Sequence, residues 1–194
     1  MKKLLSSLAL LLTGCITCQP IALLSEERAW LGSYAEGQQL TFRSNRGHTA
    51  TATVLKPQEW YTNTDCNWME SGRYQPIFSQ IVLRPSTVYN EKNRDFVVNL
   101  RKNTPERPAD VSFSVAGLEC LTASKEGQIT SKLQRQACTL ITSGKTYPAA
   151  YVFRQGQNAT IYGGGQLQAF FWDKQDGLIR YELTSGEVFD LMSR

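Results

Sequence analysis

The chain has 194 residues, of which 20% are charged, and a formal net charge of +4 at pH 7. This length suits one domain that buries a sizeable hydrophobic core. Lysines and arginines are scattered, with no run of five or more, so the charge gives no case for nucleic-acid binding.

The N-terminal segment is typical of a secretory signal peptide. Two lysines precede an apolar run over residues 4–12, which is shorter than the about 20 apolar residues that a membrane-spanning helix needs. The motif Leu12-Thr13-Gly14-Cys15 follows and resembles the lipobox of bacterial lipoproteins, in which the cysteine is acylated and becomes the new N-terminus. A plain signal peptide cut at another position is the alternative.

The lipobox resemblance implies that residues 1–14 are removed and that Cys15 carries lipid. Removing 14 of the 194 residues leaves 180, and the loss of two lysines lowers the net charge from +4 to +2. Because two or more acyl chains hold a protein stably at a bilayer, the expected partner at this end is a membrane, reached through the N-terminal lipid.

Residues 15–38 are predicted to be a tether and lead-in segment. Ser25 stands ahead of two glutamates, a pattern that favours a helix start. A short helix would carry one apolar face, made by Ile21, Leu23, Leu24, Trp30 and Leu31. An ordered linker that lies on the domain is the alternative.

Residues 39–194 are predicted to form a single all-β domain. Alternating residues over 40–44 and 49–55, around the turn Asn45-Arg46-Gly47, predict a hairpin. Residues 57–76 are predicted to be irregular. Further strands are predicted over 78–83, 95–102, 111–115, 118–122, 137–142, 149–154, 160–162, 167–172, 178–183 and 188–191. Short strands with such turns favour an antiparallel meander that forms a sandwich or a partly closed barrel.

Two blocks of this domain resemble the small, uncharacterised β-rich lipoproteins that are common in Bacteroidetes. Residues 34–47 have the form Y-x-x-G-x-x-L-x-F-x-S-x-x-G, and residues 171–191 join a Trp-Asp-Lys stretch to Gly-Leu-Ile-Arg-Tyr and Phe-Asp-Leu. The resemblance implies an anchored β domain and brings no activity, cofactor or site residue. Such lipoproteins are often displayed on the cell surface when acids follow the lipidated cysteine. Residues 16–20 contain none, so we expect the outer membrane and a domain that faces the periplasm.

Four cysteines remain if Cys15 is lipidated, and an exported chain is where disulfides persist. Four thiols allow three full pairings. We predict a Cys120–Cys138 disulfide, because these residues lie on neighbouring predicted strands. Cys18 and Cys66 would then pair or stay free. The wide spacings argue against a zinc site, so no metal is predicted.

Candidate catalytic residues are few. His48 is the only histidine, and it follows the hairpin turn with no evident partner, as a solvated turn residue does. The acid pairs Asp173/Asp176 and Glu182/Glu187 flank turns, where carboxylates commonly bond to backbone amides. We therefore predict neither a catalytic site nor a cofactor, and no enzymatic activity.

Aromatic residues concentrate in the region 57–90, where Trp60, Tyr61, Trp68 and Tyr74 form a candidate binding surface for sugars, peptides or envelope polymers. Packing of a loop over the sheet end is the alternative. The predicted function is a membrane-anchored, non-enzymatic binding or envelope-structural module whose partner is an envelope protein, a glycan or a small ligand. A barrel for a small apolar ligand is the second hypothesis and a hydrolase the third.

Overall fold

Residues 17–121 and 133–194 are described by a computed structural model of the protein. They are mostly β-strand, with 51% in strands and 7% in helix. The antiparallel sheet curls into a half-barrel, and a short helical lead-in accompanies it. The predicted all-β class, a partly closed antiparallel barrel with a helical lead-in, is confirmed. Cys15 and the predicted signal peptide lie outside the described residues.

The described elements follow the predicted order along the chain. They are β1 (Gln19–Pro20), α1 (Ser25–Arg28), a 3₁₀ turn (Ala29–Leu31), β2 (Gln39–Ser44), β3 (Thr49–Val54), β4 (Gln58–Tyr61), α2 (Trp68–Ser71), β5 (Tyr74–Gln75), β6 (Ile77–Pro85), β7 (Phe96–Lys102), β8 (Asp110–Val115), β9 (Leu118–Leu121), β10 (Gln134–Thr139), β11 (Thr146–Arg154), β12 (Thr160–Ile161), β13 (Leu167–Asp173), β14 (Gly177–Leu183) and β15 (Val188–Ser193).

The main sheet consists of two meanders joined along one seam. Its strand order is β10-β11-β13-β14-β15-β2-β3-β6-β7-β8-β9-β12, with β4 beside β6. The seam is the antiparallel pair β15–β2, in which Leu191 lies opposite Phe42. The predicted β2–β3 hairpin is confirmed, with Leu40 opposite Ala52.

Strand β4 lies in the region that was predicted to be irregular. β3 and β4 pair with successive parts of β6, through Val54 opposite Leu83 and Gln58 opposite Gln80. Pro57 interrupts them, since proline has no N–H to donate to a ladder. All four β4 side chains are exposed, so β4 lacks the alternation between apolar and polar residues that reveals a half-buried strand.

Aromatic rings fill the concave side of the sheet. The ring centroids of Phe153 and Phe170 lie 4.6 Å apart, and Phe113 lies 4.8 Å from Phe153. Trp30 of the lead-in packs 4.4 Å from Tyr151. Each large side chain buried in this way contributes about 1.5–3 kcal/mol. The described part of the predicted tether is thus part of the same core as the sheet.

A buried ion pair fixes α1 to the sheet. Lys102 Nζ donates to Glu27 Oε1 and Oε2 at 2.9 and 3.0 Å, and the two side chains are 3% and 7% exposed. Glu27 also accepts hydrogen bonds from the backbone N–H groups of Leu24 and Ala109 at 2.7 and 2.8 Å. Burial opposes ionisation of Glu27, but these donors and the cation outweigh it and keep its pKa below the usual value.

The lead-in is also held by a disulfide between Cys18 and Cys66, whose Cα atoms lie 5.4 Å apart. Next to it, β1 pairs in parallel with β5. The structure does not form the expected Cys120–Cys138 bridge. Cys120 lies opposite Phe113 in the β8–β9 ladder, whereas Cys138 is a buried thiol close to Arg180. The predicted disulfide is wrong because β9 and β10 follow each other in sequence but lie near opposite ends of the strand order.

The convex, outer face is covered on one half of the sheet only. Buried Asp190 on β15 accepts hydrogen bonds from Arg180 Nε at 2.6 Å and from the backbone N–H groups of Ile141 and Thr142. These bonds hold the turn between β10 and β11 over the outer face of β14 and β15. Phe171 is buried on the same face, with the Arg180 guanidinium 5.6 Å from its ring centroid.

We expect Lys102→Met to destabilise the protein, because the change leaves the Glu27 carboxylate buried without its cation. Breaking a buried pair on one side costs about 3 kcal/mol, which urea denaturation at pH 7 measures as a lower free energy of unfolding. Exposed Lys56 provides the control: Lys56→Met should change that free energy by less than about 0.5 kcal/mol. Equal decreases in the free energy of unfolding of the two variants would show that the Glu27–Lys102 ion pair does not stabilise the lead-in.

Candidate functional site

The four aromatic residues of the predicted binding surface do not form one surface. Trp60 lies on the outer face of β4, and Tyr61 follows it and so points to the opposite side of the strand. Trp68 is the first residue of α2. Tyr74 is half-buried, and its hydroxyl accepts a bond from Arg73 at 2.9 Å and donates one to Glu106 at 3.1 Å. Only Trp60 belongs to the site described next.

Trp60 begins a row of side chains that crosses four neighbouring strands. Its ring stacks on Phe78 of β6, with centroids 5.5 Å apart and planes 12° from parallel. Arg101 of β7, opposite Phe78 in the ladder, holds its guanidinium 5.0 Å from the Phe78 centroid. Asp110 of β8 lies opposite Arg101 and completes the row. The row therefore combines two aromatic rings with a cation and a carboxyl group.

A second row of polar side chains runs beside the first. Gln80 Nε2 donates to Asn99 Oδ1 at 2.8 Å, and Asn99 Nδ2 donates to Ser112 Oγ at 3.4 Å. The three residues are half-buried and opposite one another on β6, β7 and β8. Each amide has two N–H donors and a carbonyl oxygen with two lone pairs, so these bonds use only part of its capacity. We call the two rows together the outer-face platform.

The outer-face platform lines a groove of about 440 Å³. Burial raises the pKa of Asp110, and the nearby Arg101 and Arg107 partly offset the shift. Arg101 is further fixed by a 2.8 Å bond from its Nε to Asn103 Oδ1. Pre-positioned rings, amides and one charge of each sign suit recognition of a polar ligand by stacking and hydrogen bonding.

Sequence reasoning found Trp60 and missed its partners on the platform. Gln80, Asn99, Arg101 and Ser112 occupy the outward positions of predicted strands, where polar residues are ordinary. Phe78 is one more aromatic residue of the region 57–90, and Asp110 lies just before the strand predicted over 111–115. The sequence does contain one trace of the platform, an aromatic residue and amides at alternating positions along the predicted strands. That pattern indicates a site only when the strand order is known.

His48 has a partner, contrary to its interpretation as an unpartnered turn residue. Its Nδ1 lies 2.7 Å from Glu187 Oε1, across 139 residues of sequence, and the ring is 69% exposed. The Ser44 hydroxyl also bonds to Glu187, and this bond is the main reason why the pKa of Glu187 is lowered. The Ser44 hydroxyl thus bonds to the Glu187 carboxylate. A serine nucleophile would instead bond to the imidazole. The arrangement fastens the β2–β3 turn to the start of β15.

The other acids flagged in the sequence bond to structural partners. Asp173 Oδ1 accepts bonds from the backbone N–H groups of Gln175 and Asp176, both at 2.9 Å, as predicted for a turn. Asp176 itself pairs with Lys145 at 2.6 Å, and Glu182 pairs with Arg154 at 2.9 Å. These contacts account for the carboxylates without a catalytic role.

Neither a membrane-spanning helix nor a metal-ligating cluster is found in residues 17–121 and 133–194. Within these ranges, no helix is long and apolar enough to cross a bilayer. Nor does any group of three or more histidine, cysteine, aspartate or glutamate side chains there come together in a way that could hold a metal ion.

We expect Glu187→Gln to lower stability at neutral pH by less than about 1 kcal/mol, since the His48 ring is largely exposed to water. A carboxyl group whose pKa is lowered in the folded state stabilises the fold at pH values above its usual pKa of 4.5. This contribution is lost as the pH falls through the lowered pKa. In urea denaturation from pH 7 down to pH 3, the free energies of unfolding of Glu187→Gln and of the unaltered protein should therefore converge. Glu91→Gln, at a 79% exposed ion pair, is the control and should show no such trend. A pH-independent difference for Glu187→Gln would contradict this role.

Comparison of the chain with known proteins identifies no relative. No protein-family model matches it, and no curated protein or solved structure matches it either. Any function must therefore be inferred from the residues and their geometry.

Proposed function

We propose that the protein is a lipid-anchored, non-enzymatic binding module of a bacterial cell envelope, and that it binds a glycan on the outer-face platform. The lipid is attached to Cys15, and the domain faces the periplasm from the outer membrane. The lipobox and the two blocks that resemble Bacteroidetes lipoproteins support the anchor and the compartment. The row formed by Trp60, Phe78 and Arg101 is the observation that supports binding.

The chemistry of the platform favours a glycan over the other ligand classes considered. A sugar ring offers C–H faces to an aromatic ring and hydroxyl groups to amides, and the platform places Trp60 next to Gln80 and Asn99. Trp60 is 40% exposed, so its ring is accessible from solvent. One arginine and one aspartate leave the platform near neutral, which suits an uncharged or weakly charged polymer.

The other hypotheses find less support in the geometry. A barrel for an apolar ligand needs an open interior, whereas rings such as Phe113 and Trp172, 5.3 Å apart, fill the concave side. A hydrolase would need a nucleophile beside His48, and the neighbouring Ser44 hydroxyl bonds to Glu187 instead. Binding through the outer face requires neither.

The platform predicts binding of oligomers of N-acetylglucosamine, whose hydroxyl and acetamide groups match its amides. Titration calorimetry of the purified domain should detect this binding, and Trp60→Ala should weaken it about tenfold, which corresponds to the loss of about 1.4 kcal/mol of stacking. Asn99→Leu should weaken it as well, by removing the amide that bonds to Gln80 and Ser112 in the middle of the polar row.

Tyr162→Ala is the matched control, because Tyr162 is 52% exposed and lies outside the platform. It should leave the affinity unchanged. Undiminished binding by Trp60→Ala, or no binding of these oligomers and of isolated peptidoglycan by the unaltered domain, would refute the glycan proposal.

The anchor predicts that Cys15→Ser abolishes acylation and releases the protein from the membrane fraction. Mass spectrometry of the mature N-terminus and fractionation of an expressing bacterium measure both effects. Cys18→Ser keeps the lipobox intact and should stay in the membrane fraction with an acylated Cys15. Unchanged mass and fractionation of Cys15→Ser would show that the chain carries no lipid there.

A further inference from the structure

The loop between β4 and β5 is ordered by several independent contacts. Asn63 is buried and its Nδ2 donates to the Tyr74 carbonyl oxygen at 2.9 Å. Asn67 caps α2 by accepting a bond from the Met69 backbone N–H at 3.1 Å. The Cys18–Cys66 disulfide ties the same loop to the lead-in. The loop therefore presents α2 in a fixed position.

This fixed loop exposes two large apolar side chains next to each other. Trp68 is 64% exposed and Met69 is 91% exposed. Both side chains belong to α2, and neither contributes to the buried core. Adjoining exposed apolar side chains on an ordered turn are a feature of surfaces that contact a protein or a membrane.

The position of the lipid identifies that surface. Cys15 precedes Cys18 by three residues, and three residues of extended chain span at most about 11 Å. Cys18 is in turn bonded to Cys66, which stands two positions before Trp68. Lipid on Cys15 therefore has to enter the bilayer within a few residue lengths of α2.

We infer that α2 docks on the bilayer, with Trp68 and Met69 inserted at the membrane–water interface beside the lipid on Cys15. Tryptophan is favoured at this depth because its ring is apolar while its N–H can reach water. The surrounding Asp65, Glu70 and Arg73 do not form a basic cluster, so the contact is apolar and does not depend on anionic lipids. The inference rests on the lipid anchor proposed above.

Docking through α2 also orients the domain. The β6 strand begins at Ile77, close to the α2 loop, and ends at Pro85, where it approaches β3. Tyr162 lies at the far end, where its backbone N–H donates to Gly117 at 2.8 Å in the β8–β9 turn. The end of β6 at Pro85 would therefore point away from the bilayer, and Trp60 and Phe78 would lie at the near end of the platform.

Quenching of tryptophan fluorescence by brominated lipid tests this arrangement. The mature, acylated protein is purified and reconstituted into phosphatidylcholine vesicles with and without bromine on the acyl chains. We expect quenching that Trp68→Phe largely removes and that added salt does not reduce. In the double variant Trp68→Phe/Tyr162→Trp, the tryptophan at the far end, where Tyr162 is 52% exposed, should stay unquenched.

The outcomes separate the anchor from the docking. An acylated Cys15 with unchanged quenching in Trp68→Phe would overturn the docking of α2 and leave the anchor in place. Quenching of the tryptophan at position 162 would overturn the orientation that docking requires. A mature protein without acyl mass on Cys15 would refute the anchor, and with it this inference. Circular dichroism of each variant confirms that the sheet is retained.

Discussion

A curled sheet requires that its concave side be filled, and the rest of this structure depends on how that is done. Strand side chains supply most of the filling, but Trp30 comes from the lead-in and packs against Tyr151 and Phe113. The lead-in must therefore be held in place for the core to be complete. Glu27 with Lys102, and Cys18 with Cys66, provide two attachments of different chemistry, one ionic and one covalent. Both lie at the end of the domain that bears α2.

The two faces of the sheet differ in burial, as is common for antiparallel sheets: the concave face is filled and the outer face is covered only in part. On the outer face, the turn held by Asp190 covers β14 and β15, so that half presents no continuous surface. The other half, over β4, β6, β7 and β8, is left open and contains the outer-face platform. The proposed binding role would thus be confined to one side of the molecule, and the lead-in that completes the core would connect the domain to the proposed lipid anchor.

The sequence predicted most strands because alternation reveals any strand with one buried face, as in β2, β3 and β14. Strand β4 escaped prediction because none of its residues is buried. Three other features depend on strand order, which local patterns do not contain. The Cys18–Cys66 bridge joins residues 48 positions apart, His48 meets Glu187 across 139, and the platform needs side chains from four strands. Trp60 alone was recognisable, because an aromatic residue in a polar stretch is conspicuous without any knowledge of topology.

The seam between β15 and β2 has a consequence for folding. β2 is made early and its partner strand is the last element of the described chain, so this ladder is among the most non-local in the molecule. Until β15 arrives, β2 and β14 each present an unpaired edge, which invites pairing with a second chain. Exchange of β15 between two copies would satisfy both edges equally well. The last strand of the described chain therefore closes the ladder that joins the two meanders and protects both of these edges.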